Sequence, residues 1–299
     1  MSASGNIYDL GYQRYDGPRL GRLPVTLGLL RATLAAAYGI GRGGRAKIAP
    51  FVLAGLGLLP AVLAVGIAAL AAQAGAGDQV ADASPIQHST YQSLTSTLIM
   101  LFCAAQAPEL FGRDQRYGVL PLFFSRVLTR SDYALARVGG LFVAVFMVSV
   151  APQIVLTLGG ILAASDPLAG LADEAPDIPR YLAVTLLGSA LFATVAGAIA
   201  AWTPRRAYAT AAIIAAFIIP SVVAILIAEL AVGDLARLVV LVSPGDLVDG
   251  VNAAIFGSIP DSPAVAASGL PGWAFVVASA VGTAGLLVVI LRRYLGISG

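Results

Sequence analysis

The chain is predicted to fold as an all-α integral membrane protein with six transmembrane helices, and three observations carry that prediction. Of its 299 residues, 58% are hydrophobic and only 11% are charged, and the mean hydropathy is +0.86. A soluble domain carries about 25% charged residues, so a water-facing fold would lack roughly half the charge its surface needs. Six mostly apolar stretches reach the length of about 20 residues that a helix needs to cross the hydrocarbon core. The basic residues are also segregated into alternate connections. Other classes are excluded by the same composition. The glycines have no period, the charge density is too low for disorder, and a single cysteine, Cys103, makes no disulfide framework.

The spans fall at 48–73, 90–110, 134–163, 181–203, 207–232 and 271–291. In lipid each must satisfy its own backbone, which predicts helices. A β-barrel would need alternating segments of about ten residues, and runs such as Ile213-Ile214-Ala215-Ala216-Phe217-Ile218-Ile219 do not alternate. The third span is long enough to tilt or to extend beyond the bilayer. Segments 1–47, 111–137, 204–208 and 292–299 would share one side, and they hold 16 of the 18 Lys and Arg. The other side keeps Arg180 and Arg237 and collects eleven of the 16 acidic residues. By the positive-inside rule both termini are cytoplasmic.

Residues 1–47 form a cytoplasmic arm ahead of a transmembrane domain over 48–299. Tyr8, Tyr12 and Tyr15 suggest that the arm packs on something, and no secretory signal peptide is expected. Leu20, Leu23, Leu27, Leu30, Leu34 and Tyr38 draw an apolar stripe on a helix. With Arg22, Arg31, Arg42, Arg45 and Lys47 around it, that helix is expected to lie along the cytoplasmic interface. The following Gly39-Ile40-Gly41-Arg42-Gly43-Gly44 fits the dinucleotide spelling G-x-G-x-x-G, but that spelling has meaning only between a strand and a helix. No G-x-x-x-x-G-K-[ST] occurs, so no ATPase activity is expected of this chain.

The connection over 109–133 is the most informative on the basic side. Glu109, Arg113, Asp114, Arg116 and Tyr117 mix both signs of charge before Gly118 and Pro121 close the segment. Glu109 and Arg113 are four apart, a favourable helical pair. A short charged helix parallel to the membrane over Glu109–Tyr117 would suit docking to a soluble partner; an ordinary positive-inside loop explains the composition equally well. On the other side, the connection over 233–270 is too long for a mere link. Ser243-Pro244-Gly245-Asp246 spells a helix start, with Ser at the N-cap and Pro at the first position. That helix would run about 13 residues, roughly 20 Å, too short to span. A pair of short helices dipping into the outer leaflet, or lying on it, is expected.

Enzyme chemistry is hard to find. One histidine, His88, and one cysteine cannot build a zinc site, no haem ligand pair is present, and Cys103 reads as a small buried residue. No nucleic-acid partner and no cofactor of the chain's own are expected. The spans nearly lack ionisable groups at mid-membrane, which argues against ion coupling. Ser89, Gln92, Ser93 and Ser96 share one face of the second span, continued by Met100 and Cys103. Such a face either joins helices or lines a cavity. In the fifth span Pro220, with Phe217 one turn before it, frees the carbonyl of Ala216, and the neighbouring Ser221 is placed to bond to it. Ser93, Ser96, Met100, Phe217, Pro220 and Ser221 are therefore the candidate pathway residues.

This layout resembles the type-2 ABC exporter permease family (type V exporters). The local likeness lies in Glu109, Asp114, Arg116, Gly118 and Leu120, then Arg130, Ser131, Asp132 and Tyr133, with Val119 and Pro121 as departures. The run Tyr8…Tyr12…Tyr15-Asp16-Gly17-Pro18-Arg19 looks like actinobacterial members. The resemblance implies a plasma (inner) membrane subunit of a bacterial exporter, seated on two separate ABC ATPase subunits that carry ATP and Mg. A second permease copy or a paralogue would complete it. Glu109, Arg113, Asp114, Arg116, Tyr117 and Gly118 would form the coupling helix, and the cargo would be amphipathic or hydrophobic. Two readings compete: a secondary transporter that needs no ATPase, and a non-transporting scaffold.

Overall fold

Inside a bilayer no water is available to backbone amides, so an apolar chain closes its hydrogen bonds locally as helix. In the computed structural model every regular element among the described residues is helical. The structure describes residues 17, 21–74, 87–125, 127–164, 166–230 and 237–296. The tyrosines of the N-terminal arm lie outside the described residues, as do Asp78, Asp82, Arg126 and Asp234.

In chain order the helices are α1 (Arg22–Ala37), α2 (Arg45–Gln73), α3 (His88–Arg116), α4 (Leu120–Phe124), α5 (Arg130–Ala163) and α6 (Pro167–Glu174). They continue as α7 (Asp177–Trp202), α8 (Arg206–Glu229), α9 (Pro244–Phe256), α10 (Pro263–Ser268) and α11 (Gly272–Leu295). Six of them, α2, α3, α5, α7, α8 and α11, are long and apolar enough to cross a membrane. The chain is thus an all-α, multi-pass membrane protein. The short α9 and α10 precede the last span. At α9 the Ser243 hydroxyl accepts the Asp246 N–H, and Gly257 ends the helix at φ 69°.

Three spans form the centre and three the outside. Helices α3, α5 and α7 bury half or more of their apolar windows against the rest of the molecule, whereas α2, α8 and α11 turn most of theirs outward. Lipid tails are as apolar as leucine, so helices associate here through close packing rather than the hydrophobic effect. Small residues make that packing possible. Gly197 of α7 brings its backbone against the Phe111 ring, Gly140 of α5 seats Thr33 of α1, and Gly250 of α9 takes the Phe275 ring of α11. The glycines do not all serve this purpose: Gly55 and Gly285 have no neighbour within 4 Å of where a Cβ would stand.

Three local expectations are corrected. The stripe on α1 splits: Leu23 and Leu27 are exposed, while Thr33 and Ala37 are buried. Helix α1 follows α5 lengthwise, pairing Arg22 with Asp132, Leu30 with Gly139 and the Tyr38 hydroxyl with the Ala144 carbonyl at 2.9 Å. Residues 109–116 are no separate helix parallel to the membrane. They are the last two turns of α3, which runs on through Pro108, and the short helix is α4. Ser221 also does not bond back to Ala216; its hydroxyl donates to Asp246 Oδ1 at 3.4 Å. The dinucleotide-like spelling is the turn from α1 to α2, with Gly39 and Gly41 at φ 69° and 80°.

A methyl added at Gly140 would stand 2.6 Å from Thr33 Cβ and 3.1 Å from the Leu30 carbonyl oxygen. Gly140→Ala is therefore expected to destabilise the fold by about 1–3 kcal/mol through overpacking. Gly55→Ala, in open space, is expected to be neutral or to gain up to about 1 kcal/mol of helix propensity. Thermal unfolding of both variants in the same detergent separates the two outcomes.

Candidate functional site

The charged residues gather at opposite ends of the bundle. At the basic end, Glu109 of α3 is held between two arginines. Its Oε2 lies 3.2 Å from Arg42 Nη1 in the α1–α2 turn, and its Oε1 lies 2.9 Å from Arg206 Nη1 at the start of α8. Pro108, lacking an N–H, leaves the Ala104 carbonyl without its helical partner, and the Thr210 hydroxyl of α8 donates to it at 3.0 Å. Arg206 and Thr210 are one turn apart, so a single face of α8 is bound twice to α3.

The other acid of this segment is also turned inward. Asp114 pairs with Arg137 and accepts the Tyr133 hydroxyl at 2.7 Å. Tyr133 packs its ring on Tyr294, Phe123 and Phe124. Gln115 donates to the Ala201 carbonyl at 3.0 Å, which closes the end of α7. Thr129 and Asp132 form a reciprocal cap on α5, and Arg22 grips that Asp132 with two hydrogen bonds. That hydrogen bond, first, and the carboxylate charge, second, raise the guanidinium pKa of Arg22.

The six expected coupling residues therefore divide. Glu109 and Asp114 face inward and hold the segment, while Arg113, Arg116, Tyr117 and Gly118 are exposed. Gly118 turns the chain at φ 64°. Beside them opens a cavity of about 480 Å³, walled by Gly41, Arg42, Glu109, Arg113, Arg116 and Tyr117. Burial lowers the pKa of Arg42; Glu109 opposes this, and the charges of Arg113 and Arg206 add to the lowering. Arginine stays charged regardless, so four guanidinium groups surround one carboxylate. The result is a net-positive platform.

At the acidic end, a cavity of about 280 Å³ opens between α3, α8 and α9. Three of the expected pathway residues meet there: Ser93 and Ser96 from α3 and Ser221 from α8. The other three do not line it. Met100 and Phe217 are buried in the core, where Phe217 stands edge-on to Phe192 at 4.8 Å, and Pro220 only precedes Ser221. From the sequence alone Asp246 is a helix-start residue and nothing more. Its Oδ1 accepts the Ser262 hydroxyl at 2.8 Å, and it faces the cavity with Asp249. Asp246 and Asp249 are three apart on α9, a spacing that puts them on one face and was legible in advance. Burial raises the Asp249 carboxyl pKa, opposed by the N–H groups of Ser262 and Asp261.

His88 opens α3 and is buried, with both ring nitrogens satisfied. Its Nδ1 lies 2.6 Å from Gln153 Oε1 and its Nε2 3.0 Å from Glu174 Oε2. Gln153 donates its own amide to the His88 carbonyl, and the imidazole stacks on Tyr181 at 5.2 Å. This cluster ties α3 and α5 to the α6 connection. Nothing in the local sequence announced it, because its members lie 65 and 86 residues apart.

No protein-family model matches this chain, and no curated protein is similar to it in sequence.

Glu109→Gln removes the charge shared by Arg42 and Arg206 and is expected to cost about 2 kcal/mol, within the range for orphaning part-buried charges. His88→Ala leaves Gln153 and Glu174 without their shared partner and is expected to cost about 1–3 kcal/mol. Glu229→Gln, at an exposed helix end, serves as the neutral comparison in thermal unfolding.

Proposed function

We propose that this chain is the membrane-embedded permease subunit of an ABC exporter, driven by ATP hydrolysis on two separate ATPase subunits. The observation that carries this reading is the double attachment of α3 to α8 at the basic end. An ATPase would bear on the outward Arg113, Arg116 and Tyr117. Because α3 is unbroken from Arg116 to His88, a push there moves one continuous rod. From Arg116 to Ser93 that rod is about 35 Å long at 1.5 Å per residue. Glu109 and Ala104 oblige the start of α8 to follow, through Arg206 and Thr210. At the far ends of these two helices stand Ser93, Ser96 and Ser221 around the acidic cavity. Displacement of the lever thus widens or narrows that cavity without melting any helix.

On this reading the basic end is cytoplasmic, since it holds 16 of the 18 Lys and Arg. The exporter would sit in the plasma membrane of a bacterium. A second permease copy or a paralogue would meet the outward apolar face of α8 near Ile218, Ile219 and Val222. The cargo is an amphipathic or hydrophobic compound. The exposed charges of the coupling segment are all basic and its acids are internal.

Arg113→Glu combined with Arg116→Glu is expected to abolish copurification of a phosphate-loop ATPase from membranes and to cut ATP-dependent export about tenfold or more, because charge reversal at an interface acts on both attraction and repulsion. Arg180→Glu, at the opposite end, should do neither. Unchanged ATPase binding and export in the double variant would sink the proposal, as would ATP-independent transport by the reconstituted chain alone.

A further inference from the structure

We propose that the cavity at the acidic end binds an organic ammonium ion, a protonated amine carried on a small apolar body. The role of this site in export rests on the permease reading above, but binding itself needs only this chain. Among the described residues three carboxylates line the cavity and no basic side chain does. Their parts differ. Asp249 already gives both oxygens to the N–H groups of Asp261 and Ser262, at 3.2 and 2.9 Å, and so holds the loop before α10 in place. Asp261 is exposed at the rim. Asp246 is the buried one, 3% exposed.

One oxygen of Asp246 accepts from Ser221 and Ser262; the other is buried with no hydrogen-bond partner. A carboxylate oxygen removed from water and left without a donor is costly. An independent observation comes from the facing helix. Gln92 of α3 also lines the cavity and is 4% exposed. The neighbouring Ser93 hydroxyl is buried and unpartnered as well. Unsatisfied polar groups from α3 and α9 therefore converge on one space, an arrangement that native interiors rarely keep without a ligand or ordered water.

The chemistry of these groups selects the occupant. Asp246 offers only acceptor oxygens, and Gln92 and Ser93 can each turn an oxygen to the same space, so a donor-rich occupant satisfies all three. The carboxylates demand positive charge and repel anions. A primary ammonium carries three donors and one charge on a compact head. A bare metal ion fits less well. Among the described residues no three acidic, His or Cys side chains stand close enough to hold one, and the space is several times the roughly 30 Å³ share of a single water. The remaining wall, Ile225, Val248 and Pro263, is apolar and suits a short hydrocarbon body.

The test uses the full chain in lipid nanodiscs, without any ATPase, and radiolabelled phenethylammonium in equilibrium dialysis. Saturable binding is expected, with the neutral 2-phenylethanol and the anionic phenylacetate failing to compete. Asp246→Asn keeps the shape and the oxygen that Ser221 and Ser262 address, and it should weaken binding about tenfold or more, the scale of one charge-assisted hydrogen bond. Asp261→Asn should weaken it only a few-fold, and less at high salt. An unchanged melting temperature for Asp246→Asn separates lost binding from lost folding. Equal binding by wild type and Asp246→Asn would overturn the proposal, as would competition by phenylacetate. Saturable binding of the probe alongside failed ATPase coupling would leave this site standing and remove only the exporter reading.

Discussion

Glu109 is the group on which the basic end depends. Its carboxylate sits part-buried between Arg42 and Arg206, so the α1–α2 turn, α3 and α8 share one charge. Glu109 and Arg42 are largely withdrawn from water, so removing either strands the other, and the cost exceeds what the intact pair contributes, whereas Arg206 stays exposed. Pro108, immediately before it, adds a neutral version of the same constraint. A carbonyl freed by proline must find a donor, and Thr210 of α8 supplies it. Two adjacent residues of α3 thereby determine where a helix about 100 positions later begins its passage.

That constraint relates the two ends of the molecule. Helices α3 and α8 run in opposite directions, meeting at Glu109 and Arg206 at one end and flanking the cavity with Ser93, Ser96 and Ser221 at the other. Between them α7 supplies a buried surface of small residues, Ala193, Ala196, Gly197, Ala200 and Ala201. Small side chains let backbones approach closely, the means by which helices associate in lipid. The exposed faces of α2, α8 and α11 carry Leu, Val and Ile, a composition at home against acyl chains. A soluble bundle would carry polar side chains on those outward faces.

The spans and the short helix after Ser243 were legible because each rests on local information: a run of apolar residues, a hydroxyl at an N-cap, a glycine beyond the end. The polar face of α3 was legible as a face but not as a cavity wall, since nothing local tells whether Ser93 meets another helix or a void. Met100 and Phe217 were grouped with the pathway by their position on the helix. The burial of Phe217 was decided by the edge-on ring of Phe192 on α7. The charged segment 109–118 was legible in composition, but which charges faced outward was not. Glu109 and Asp114 turn inward because Arg42, Arg206, Arg137 and Tyr133 arrive from remote positions to receive them.

By itself, then, the order of residues determined a six-span helical membrane protein with its basic and acidic connections on opposite sides. Hydropathy and charge act residue by residue against the solvent, and need no knowledge of the fold. Only the tertiary structure decided that α3 reaches unbroken to Arg116, that α1 lies along α5, and that His88 joins Gln153 and Glu174. It also decided that Asp246 faces Gln92 across a cavity. Each of these depends on which helices touch. In lipid that is set by the fit of small residues and by the need of every buried polar group for a partner, neither of which a single stretch of chain contains.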